Sequence, residues 1–380
     1  MSAPAKSERV LIVDDEPGIL RAAERILSPA YQVMTASRPS EAMDLVAACE
    51  PDLVICDIRM PEMDGFALVK LIRARRPEID AIFMTGSHTE PDAHLVRAIR
   101  SDAFYFIQKP FDRLVLTTLV ERCLELRRLR SAQRNHTARL ERELAEAALF
   151  QRTMLGPESG RVHGLRFCAR CLACTELGGD LYDYDATGDG RVAFIIADVR
   201  GHGASAAMLT AVVKSAFRSA APEHYDPAHI VARLWEGVGP FGVDRFVTMI
   251  CGRFDPVSSK LEYINAGHPP GIAWAKGASP VIFAATAPIV CSAFEQGTWR
   301  TYQSTLPKGF SALFFTDGLC DSLGLSMSKA GPTLAAEIDD CGEGAEEAIV
   351  DHVMNRVAAS LRGRPAWDDI SLLAISDDRR

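Results

Sequence analysis

Long apolar runs are missing from this sequence of 380 residues, and positive charge is not in excess. No apolar stretch approaches the length that crosses a membrane, and the start, MSAPAKSE, contains no apolar signal core. We therefore expect a cytoplasmic protein that makes no membrane contact and has a disordered leader at residues 1–8. The formal net charge of −8 argues against general binding to nucleic acid.

Disulfides are not expected either, although the chain has ten cysteines. The cysteines are scattered over a long sequence without a secretion signal, which favours free thiols. Cys168, Cys171 and Cys174 have the gaps of a zinc or iron–sulfur site, but no fourth ligand of matching spacing follows them. Their segment is typical of a strand, in which a spacing of three points cysteines to opposite faces. Packing cysteines are therefore the preferred interpretation, and a metal site is the alternative.

Two regions of the sequence have the periodicity of folded domains. Between residues 9 and 123, short apolar runs such as RVLIV and DLVIC alternate with stretches of helical spacing. This alternation predicts an α/β domain with a doubly wound parallel sheet that has helices on both faces. Over residues 155–380, strand-like runs in antiparallel-looking groups are separated by long helices, which predicts an α+β domain.

Between these regions, residues 113–154 contain no glycine or proline and predict one long helix. A heptad frame indicates a coiled-coil seam that is interrupted in its middle. We assign residues 124–154 to a helical linker that pairs two subunits in a homodimer; the alternative is a helix packed on its own domain. The seam positions are Leu116, Leu119, Cys123, Leu126, Leu140, Leu144, Ala147 and Met154.

A first group of acidic residues lies at the ends of strands in the N-terminal region. Asp14 and Asp15 follow the run VLIV, and Asp57 ends the run DLVIC. In a parallel sheet these strand ends form the crevice where ligands bind, and three carboxylates there would hold one Mg²⁺. Thr85 and Lys109 end the next two strands, and a hydroxyl and an ammonium group suit phosphoryl oxygens.

The strings LIVDDEPGI, DIRMPEMDGFAL, MTGS and FIQKPF resemble the receiver domain of two-component response regulators. The resemblance implies a flavodoxin-like fold and a sensor histidine kinase as phosphodonor. It also implies that Asp57 is the phospho-acceptor. Asp14, Asp15 and Asp57 would hold Mg²⁺ together with the backbone carbonyl of Arg59.

The same resemblance assigns roles to three residues around the phosphoryl group. Thr85 and Lys109 would bind it. Phe106 fills the switch position, which is often Tyr, so packing rather than a hydroxyl would report the phosphorylation state. The alternative is a receiver-like fold that is never phosphorylated, because carboxylate pairs can be structural.

A second group of aspartates lies at the edges of apolar runs in ELGGDLYDY, FIIADVRGHG, LFFTDGL and AWDDISLL. Carboxylates that converge at a sheet rim repel one another unless cations hold them, and oxygen ligands suit Mg²⁺ or Mn²⁺. Two such ions would activate water for attack on phosphorus. The alternative is that these residues only form turns and caps. They are Asp180, Asp198, Asp317 and Asp368.

Seven strings in order resemble PPM (PP2C-type) serine/threonine phosphatases of the bacterial SpoIIE/RsbU-like branch. They are FQRTMLGP, LGGDLYDY, ADVRGHG, FVTMICGRFDP, YINAGHPPG, FFTDGL and WDDISLL. The resemblance implies a β-sandwich flanked by helices, with two Mn²⁺ or Mg²⁺ ions. It implies that Asp198 bridges the metals with the carbonyl of Val199, that Asp180 holds one metal, and that Asp317 and Asp368 complete the other.

Some positions depart from that family pattern or have no assigned role. Asp369 is the less favoured ligand, because the first aspartate of its motif coordinates. Arg200 stands where larger relatives carry a histidine, and His202 follows two residues later. Arg200 would bind substrate phosphate or be an exposed loop residue. Ser371 replaces a frequent Thr, and His268 is interpreted as a residue that stabilises its turn.

These observations predict a response regulator whose phosphorylation at Asp57 controls a metal-dependent phosphatase through the linker helix. By family analogy, the substrate is a phosphorylated anti-anti-sigma (STAS-type) protein in partner-switching signalling. The alternative is a non-catalytic adaptor that binds a sigma factor or an anti-sigma partner.

Overall fold

The computed structural model describes residues 8–86, 105–201, 203–338 and 346–378. The chain forms two compact units, an N-terminal unit of Met1–Arg139 and a C-terminal unit of Leu140–Arg380. The predicted leader lies outside the described residues except for its last position.

Five parallel strands form the sheet of the N-terminal unit, in the order β2-β1-β3-β4-β5. Their apolar runs are buried because both faces of the sheet are covered: Val10 and Ile12 pack in one cluster, and Leu11 and Val13 in another. The predicted doubly wound fold is confirmed. The elements are β1 (Arg9–Val13), α1 (Pro17–Leu27), β2 (Gln32–Ala36), α2 (Pro39–Cys49), β3 (Leu53–Asp57), α3 (Gly65–Arg75), β4 (Asp80–Thr85) and β5 (Tyr105–Gln108).

A single helix of 40 residues, α4 (Arg113–Arg152), follows β5 and continues into the C-terminal unit. The predicted long helix is therefore confirmed. Its first turns belong to the core of the N-terminal unit, where Leu116 and Cys123 are buried. These two positions of the predicted coiled-coil seam pack within their own unit. Further along the seam, Leu140 is 45% exposed and Leu144 38% exposed.

Arginines of α4 pair with carboxylates of the N-terminal unit beyond these buried turns. Each pair is partly exposed, so each contributes only ~0–1 kcal/mol. Together they attach the helix for about three more turns. The pairs are Arg127–Asp52, Arg128–Glu8, Arg130–Asp80 and Arg134–Glu78.

Two antiparallel sheets form the C-terminal unit, in the orders β14-β11-β10-β9-β8 and β13-β12-β15-β16-β7-β6. The strands of the first sheet are β8 (Asp180–Ala186), β9 (Val192–Val199), β10 (Val247–Asp255), β11 (Lys260–Ala266) and β14 (Tyr302–Thr305). The strands of the second are β6 (Ser159–Val162), β7 (Leu165–Leu172), β12 (Gly271–Trp274), β13 (Val281–Phe283), β15 (Ser311–Phe315) and β16 (Ile370–Asp377).

The two sheets pack face to face through aromatic side chains, as the 4.6 Å distance between the ring centroids of Phe194 and Phe314 shows. Helices cover the outer face of each sheet. The predicted β-sandwich flanked by helices is confirmed. The helices are α5 (Ala204–Ser219) and α6 (Pro227–Val238) on the first sheet, and α7 (Asp317–Leu323), α8 (Met327–Ile338) and α9 (Glu346–Leu361) on the second.

The cysteines of β7 point to opposite faces of their sheet, as their spacing predicts. Cys168 packs in the cluster beneath the helices, whereas Cys171 packs against the cluster between the sheets. Burial raises the pKa of the Cys171 thiol to about 12. Both side chains therefore behave as packing groups.

In the part of the chain that the structure describes, no helix combines the length and the apolar character needed to cross a membrane.

Candidate phosphorylation site and metal centre

Three carboxylates meet at the C-terminal edge of the sheet in the N-terminal unit. Asp14 follows β1 and is buried, Asp15 is exposed, and Asp57 ends β3. One side-chain oxygen from each lies within 4.8 Å of the others. The Lys109 ammonium group lies 2.6 Å from Asp14 Oδ2 and 3.0 Å from Asp57 Oδ1. The structure thus brings together four of the residues that the sequence assigned to this site.

Burial and Lys109 have opposite effects on the pKa values of the two buried aspartates of this site. Burial raises the pKa of Asp14 and Asp57, and hydrogen bonds from Lys109 partly offset that effect. Burial alone would lower the pKa of Lys109, but its hydrogen bonds with Asp14 and Asp57 raise it. The ammonium group is therefore charged at neutral pH. A Cβ atom at Gly65 would lie 2.1 Å from the main-chain oxygen of Asp57, so this position admits only glycine.

The remaining predicted residues surround the same edge. Thr85 ends β4, next to β3. The main chain of Arg59 forms a hydrogen bond with the Asp57 carboxylate, and this bond also offsets part of the rise in the pKa of Asp57. Phe106 lies on β5, and its ring stacks on Phe83 with centroids 5.9 Å apart. A packing contact is therefore available to this switch position, as expected for a side chain without a hydroxyl.

The second group of aspartates lies at one end of the sandwich. Asp180 is the first residue of β8 and is paired with Asp198 across the β8–β9 ladder. Asp317 is the first residue of α7, directly after β15 and Thr316. Asp368 lies just before β16. The first sheet supplies two of these carboxylates and the second sheet supplies the other two.

These carboxylates raise one another's pKa. Burial raises the pKa of Asp180 well above its usual value, and the charge of Asp198 adds to this effect. Burial also raises the pKa of Asp198 to about 7, with Asp317 and Asp368 as the next contributors. The pKa of Asp317 is raised by burial and by Asp368. All four residues predicted from the sequence are thus in electrostatic contact.

Asp369 has a different environment from Asp368. It is buried, its Oδ1 accepts a hydrogen bond from the Cys174 amide at 2.7 Å, and its Oδ2 accepts one from the Gly179 amide at 2.5 Å. Its carboxylate therefore holds the main chain at both ends of the loop of residues 174–179, called the metal-site loop below. One ligand atom each from Cys174, Asp368 and Asp369 lies within 4.8 Å of the others. The sequence did not indicate that Cys174 comes so close to this site.

The chemistry of the carboxylates fits a divalent cation. Thr316 donates a hydrogen bond from Oγ1 to Asp180 Oδ2 at 2.8 Å. Among the described residues, no donor reaches the buried Asp180 Oδ1 in hydrogen-bonding geometry, although the Ser371 hydroxyl lies close enough to lower the carboxylate's pKa. A buried, negatively charged oxygen of this kind needs a compensating positive charge. Hard oxygen ligands favour Mg²⁺ or Mn²⁺.

The main chain around Asp180 and Asp198 is closely packed. The Val199 amide donates to the Gly179 carbonyl at 3.1 Å, and a Cβ atom at Gly179 would lie 2.6 Å from the Val199 carbonyl oxygen. Glycine at this position therefore allows the loop before Asp180 to lie against the strand that carries Asp198.

Arg200 is exposed beside this site, and its guanidinium carbon lies 5.1 Å from the ring centroid of Phe246. Stacking on a ring leaves the N–H groups at the edge of the guanidinium plane accessible. His202 lies outside the described residues. His268 and Ser371 are both buried.

The fold and the two acidic sites define a response-regulator receiver domain joined to a PP2C-type domain. The family model described as "Response regulator receiver domain" matches residues 10–121. The model described as "Stage II sporulation protein E (SpoIIE)" matches residues 188–377, half of the chain. The chain belongs to the SpoIIE family, and its N-terminal unit is a receiver domain.

Curated relatives match the receiver part of the chain. The DNA-binding transcriptional regulator NtrC of Escherichia coli K12 is 40% identical over 116 residues, which are 30% of this chain and 24% of NtrC. The C4-dicarboxylate transport transcriptional regulatory protein DctD of Pseudomonas aeruginosa is 33% identical over 154 residues, 40% of this chain and 32% of DctD. The chain thus spans about a quarter to a third of these relatives.

Among solved structures, the SiaA-PP2C domain of Pseudomonas aeruginosa is similar to the C-terminal part of the chain. It has a TM-score of 0.53 and 19% sequence identity, and the alignment covers 63% of this chain and 98% of that domain. At this identity the likeness establishes the fold.

Proposed function

We propose that the C-terminal unit is a metal-dependent protein serine/threonine phosphatase and that the N-terminal unit regulates it. The crowding of Asp180, Asp198, Asp317 and Asp368 carries this proposal. Buried carboxylates that raise one another's pKa remain charged together at neutral pH only when cations neutralise them. Membership of the SpoIIE family and the PP2C-type fold also support the proposal of a metal-dependent phosphatase.

The four aspartates would hold two Mn²⁺ or Mg²⁺ ions, with the main-chain carbonyl of Val199 as a further ligand. Bound divalent cations supply a nucleophile from water at neutral pH and positive charge opposite the phosphoryl oxygens. Asp198 suits the position of a ligand shared by both ions. It is the strand partner of Asp180, and the charges of Asp317 and Asp368 raise its pKa. Arg200 has accessible N–H groups for a substrate phosphate, and Phe246 fixes the plane of its guanidinium group.

A metal-removal experiment tests the phosphatase proposal. We expect the full chain to hydrolyse p-nitrophenyl phosphate in Mn²⁺, to stop in EDTA, and to recover when Mn²⁺ is restored. The reason is that the described residues at the site include no side chain that is activated as a nucleophile, so a metal-bound water would have to attack phosphorus. The release of p-nitrophenol is followed by absorbance. No hydrolysis above that of Asp198→Asn would favour the adaptor that binds a sigma factor or an anti-sigma partner, whereas equal, measurable rates in Mn²⁺ and EDTA would contradict the metal requirement.

We further propose the partners of the reaction. A sensor histidine kinase would donate the phosphoryl group to Asp57, with Mg²⁺ held by Asp14, Asp15, Asp57 and the carbonyl of Arg59. The phosphatase would act on a phosphorylated STAS-type anti-anti-sigma protein in the cytoplasm. This substrate rests on family analogy. A phosphatase assay on candidate phospho-STAS proteins, with and without acetyl phosphate, tests it.

The end of α4 offers a route from the receiver to the metal-site loop. Gln151 donates from Nε2 to the Gly178 carbonyl at 2.5 Å and accepts at Oε1 from the Gly178 amide at 3.1 Å. Its Nε2 also lies 3.4 Å from Thr210 Oγ1 in α5. Because Gly178 and Gly179 directly precede Asp180, one side-chain amide joins the helix to the loop that carries a proposed metal ligand. Two positions of the helix end would therefore present Asp180 differently.

The response to acetyl phosphate tests this coupling. We expect acetyl phosphate to change the hydrolysis rate of wild-type protein and to leave Asp57→Ala unchanged. Gln151→Leu should still be phosphorylated, as seen by phosphate-affinity gel mobility, but its rate should respond less, because both hydrogen bonds to Gly178 are lost. The exposed Gln303 of β14, away from the helix and its predicted seam, gives the matched control, Gln303→Leu. Equal rates for wild type and Asp57→Ala under all conditions would contradict control by phosphorylation.

We also propose that residues 9–123, 124–154 and 155–380 act as receiver, linker and phosphatase, and that the linker pairs two chains. The exposed seam residues Leu140 and Leu144 support pairing in the second half of α4.

A further inference from the structure

His268 is a buried polar residue to which the proposed reaction gives no role. It follows β11 in a turn and is 2% exposed. Its amide donates to Asn265 Oδ1 at 2.9 Å, and Asn265 in turn donates from Nδ2 to the Phe283 carbonyl at 2.9 Å. These bonds fix the main chain of the turn. They leave the imidazole ring free to act on other groups.

The ring of His268 contacts the hydroxyl of Thr248. Its Nδ1 lies 2.9 Å from Thr248 Oγ1. Burial lowers the pKa of His268 to about 3, against a smaller opposing effect from the main chain of Phe315. The ring is therefore neutral, and one of its nitrogens donates while the other accepts. Among the described residues, no partner lies in hydrogen-bonding geometry with Nε2, although the Phe315 main chain lies close enough to affect the pKa. A proton on Nε2, on the side of this main chain, would leave Nδ1 to accept from the Thr248 hydroxyl.

The two neighbours of this ring lie beside proposed metal ligands in different sheets. Thr248 on β10 is the strand partner of Asp198 on β9. Directly opposite residues of antiparallel strands have side chains on the same face, with Cβ atoms about 5 Å apart. Phe315 ends β15 and is two residues before Asp317.

A second contact extends the path from Phe315 to Asp180. Thr316 follows Phe315, donates from Oγ1 to Asp180 Oδ2 at 2.8 Å, and donates from its amide to the Ser371 carbonyl at 3.1 Å. One neutral imidazole thus connects the two sheets where each presents carboxylates.

We propose that His268 is a positioning residue for the metal centre. Its ring holds Thr248 beside Asp198 and holds the end of β15 in place before Asp317. This inference rests on the proposed metal site. Without the acceptor at Nδ1, the Thr248 hydroxyl turns to other acceptors, and the separation of the two pairs of carboxylates is no longer fixed. Outer-shell partners of metal ligands typically change metal affinity about 10- to 100-fold. We expect a loss of about tenfold, because His268 acts through one intervening residue.

Mn²⁺ titration of the full chain, followed by electron paramagnetic resonance of free Mn²⁺, tests the proposal. All proteins carry Asp15→Asn and Asp57→Asn, so that the receiver site does not contribute. Thr248→Val removes the hydroxyl at nearly constant shape, and Thr248→Ser keeps it. His268→Leu removes the acceptor, and His268→Asn restores an acceptor near the position of Nδ1. Thermal unfolding is recorded for every variant, because the turn itself contributes to stability.

The expected result is a similar, roughly tenfold loss of Mn²⁺ affinity in Thr248→Val and His268→Leu. The double variant should be no weaker than either single variant, and Thr248→Ser and His268→Asn should bind nearly as wild type does. Unchanged affinity in Thr248→Val with wild-type binding intact would overturn the positioning role, even if the melting temperature falls. Additive losses in the double variant would overturn the route through Thr248. No Mn²⁺ binding by the parent protein would instead reject the proposed metal site.

Discussion

Replacement of Asp198 by asparagine is expected to reduce Mn²⁺-dependent hydrolysis of p-nitrophenyl phosphate by at least about a hundredfold, since even outer-shell changes reach that range. Asp198 feels the charges of Asp317 and Asp368, and it faces Asp180 across the β8–β9 ladder. An amide keeps the shape of the side chain but removes the negative charge, so both cations would lose a shared ligand. Initial rates over a range of Mn²⁺ concentrations measure the loss.

A matched control separates loss of the site from a general effect of removing an acidic group. Asp351 is exposed on α9, and Asp351→Asn makes the same chemical change away from the aspartate group. Its rate should equal that of wild type. Activity of Asp198→Asn above a tenth of the wild-type rate at saturating Mn²⁺ would mean that Asp198 is not a bridging ligand.

The same substitution is expected to stabilise the metal-free protein at alkaline pH. The pKa of Asp198 is raised from 3.8 to about 7 in the folded chain. A carboxyl group whose folded pKa is raised contributes most stability below its unfolded pKa and loses it as the pH rises through the folded value. The stability of the wild type in EDTA should therefore fall between about pH 4 and pH 7, by on the order of a few kcal/mol. The asparagine side chain of the variant has no such proton to lose, so Asp198→Asn should be the more stable protein at pH 8.

Guanidinium unfolding at pH 5 and pH 8, in EDTA and in Mn²⁺, measures this difference. The four tryptophans are Trp235, Trp274, Trp299 and Trp367, so tryptophan fluorescence reports on the C-terminal unit alone. At pH 5 the variant should exceed the wild type in EDTA by less than half of the difference at pH 8, because most of the wild type's loss occurs between these two pH values. At pH 8, Mn²⁺ should stabilise only the wild type strongly. A wild type that is more stable than the variant at pH 8 in EDTA would contradict the crowding of charge at this site.

The sequence predicts the positions of the carboxylates well, because the end of a strand can be recognised from residues that are neighbours in the chain. Apolar runs identified the strands that carry Asp57 and Asp198, and a carboxylate after such a run must lie at the sheet edge. The contacts that cross between elements were not predictable in the same way. Nothing local to Cys174 indicates Asp369 as its neighbour, and nothing local to His268 indicates Thr248.

The coiled-coil seam shows a second limit of sequence analysis. Its apolar residues do follow a heptad spacing, but periodicity alone does not distinguish a side chain that faces a second subunit from one that faces its own core. Leu116 and Cys123 face their own core. Core packing and subunit pairing call for the same residue types, so only the fold separates the two.

The unbroken course of α4 has a consequence for the evolution of such proteins. Leu116, near one end, is fixed in the receiver core, and Gln151, near the other, is bonded to Gly178. Each residue inserted or deleted between them turns one end about 100° relative to the other. Insertions or deletions of single residues therefore rotate one end of the helix relative to the other. Changes of about seven residues, close to two full turns, largely restore the original rotation.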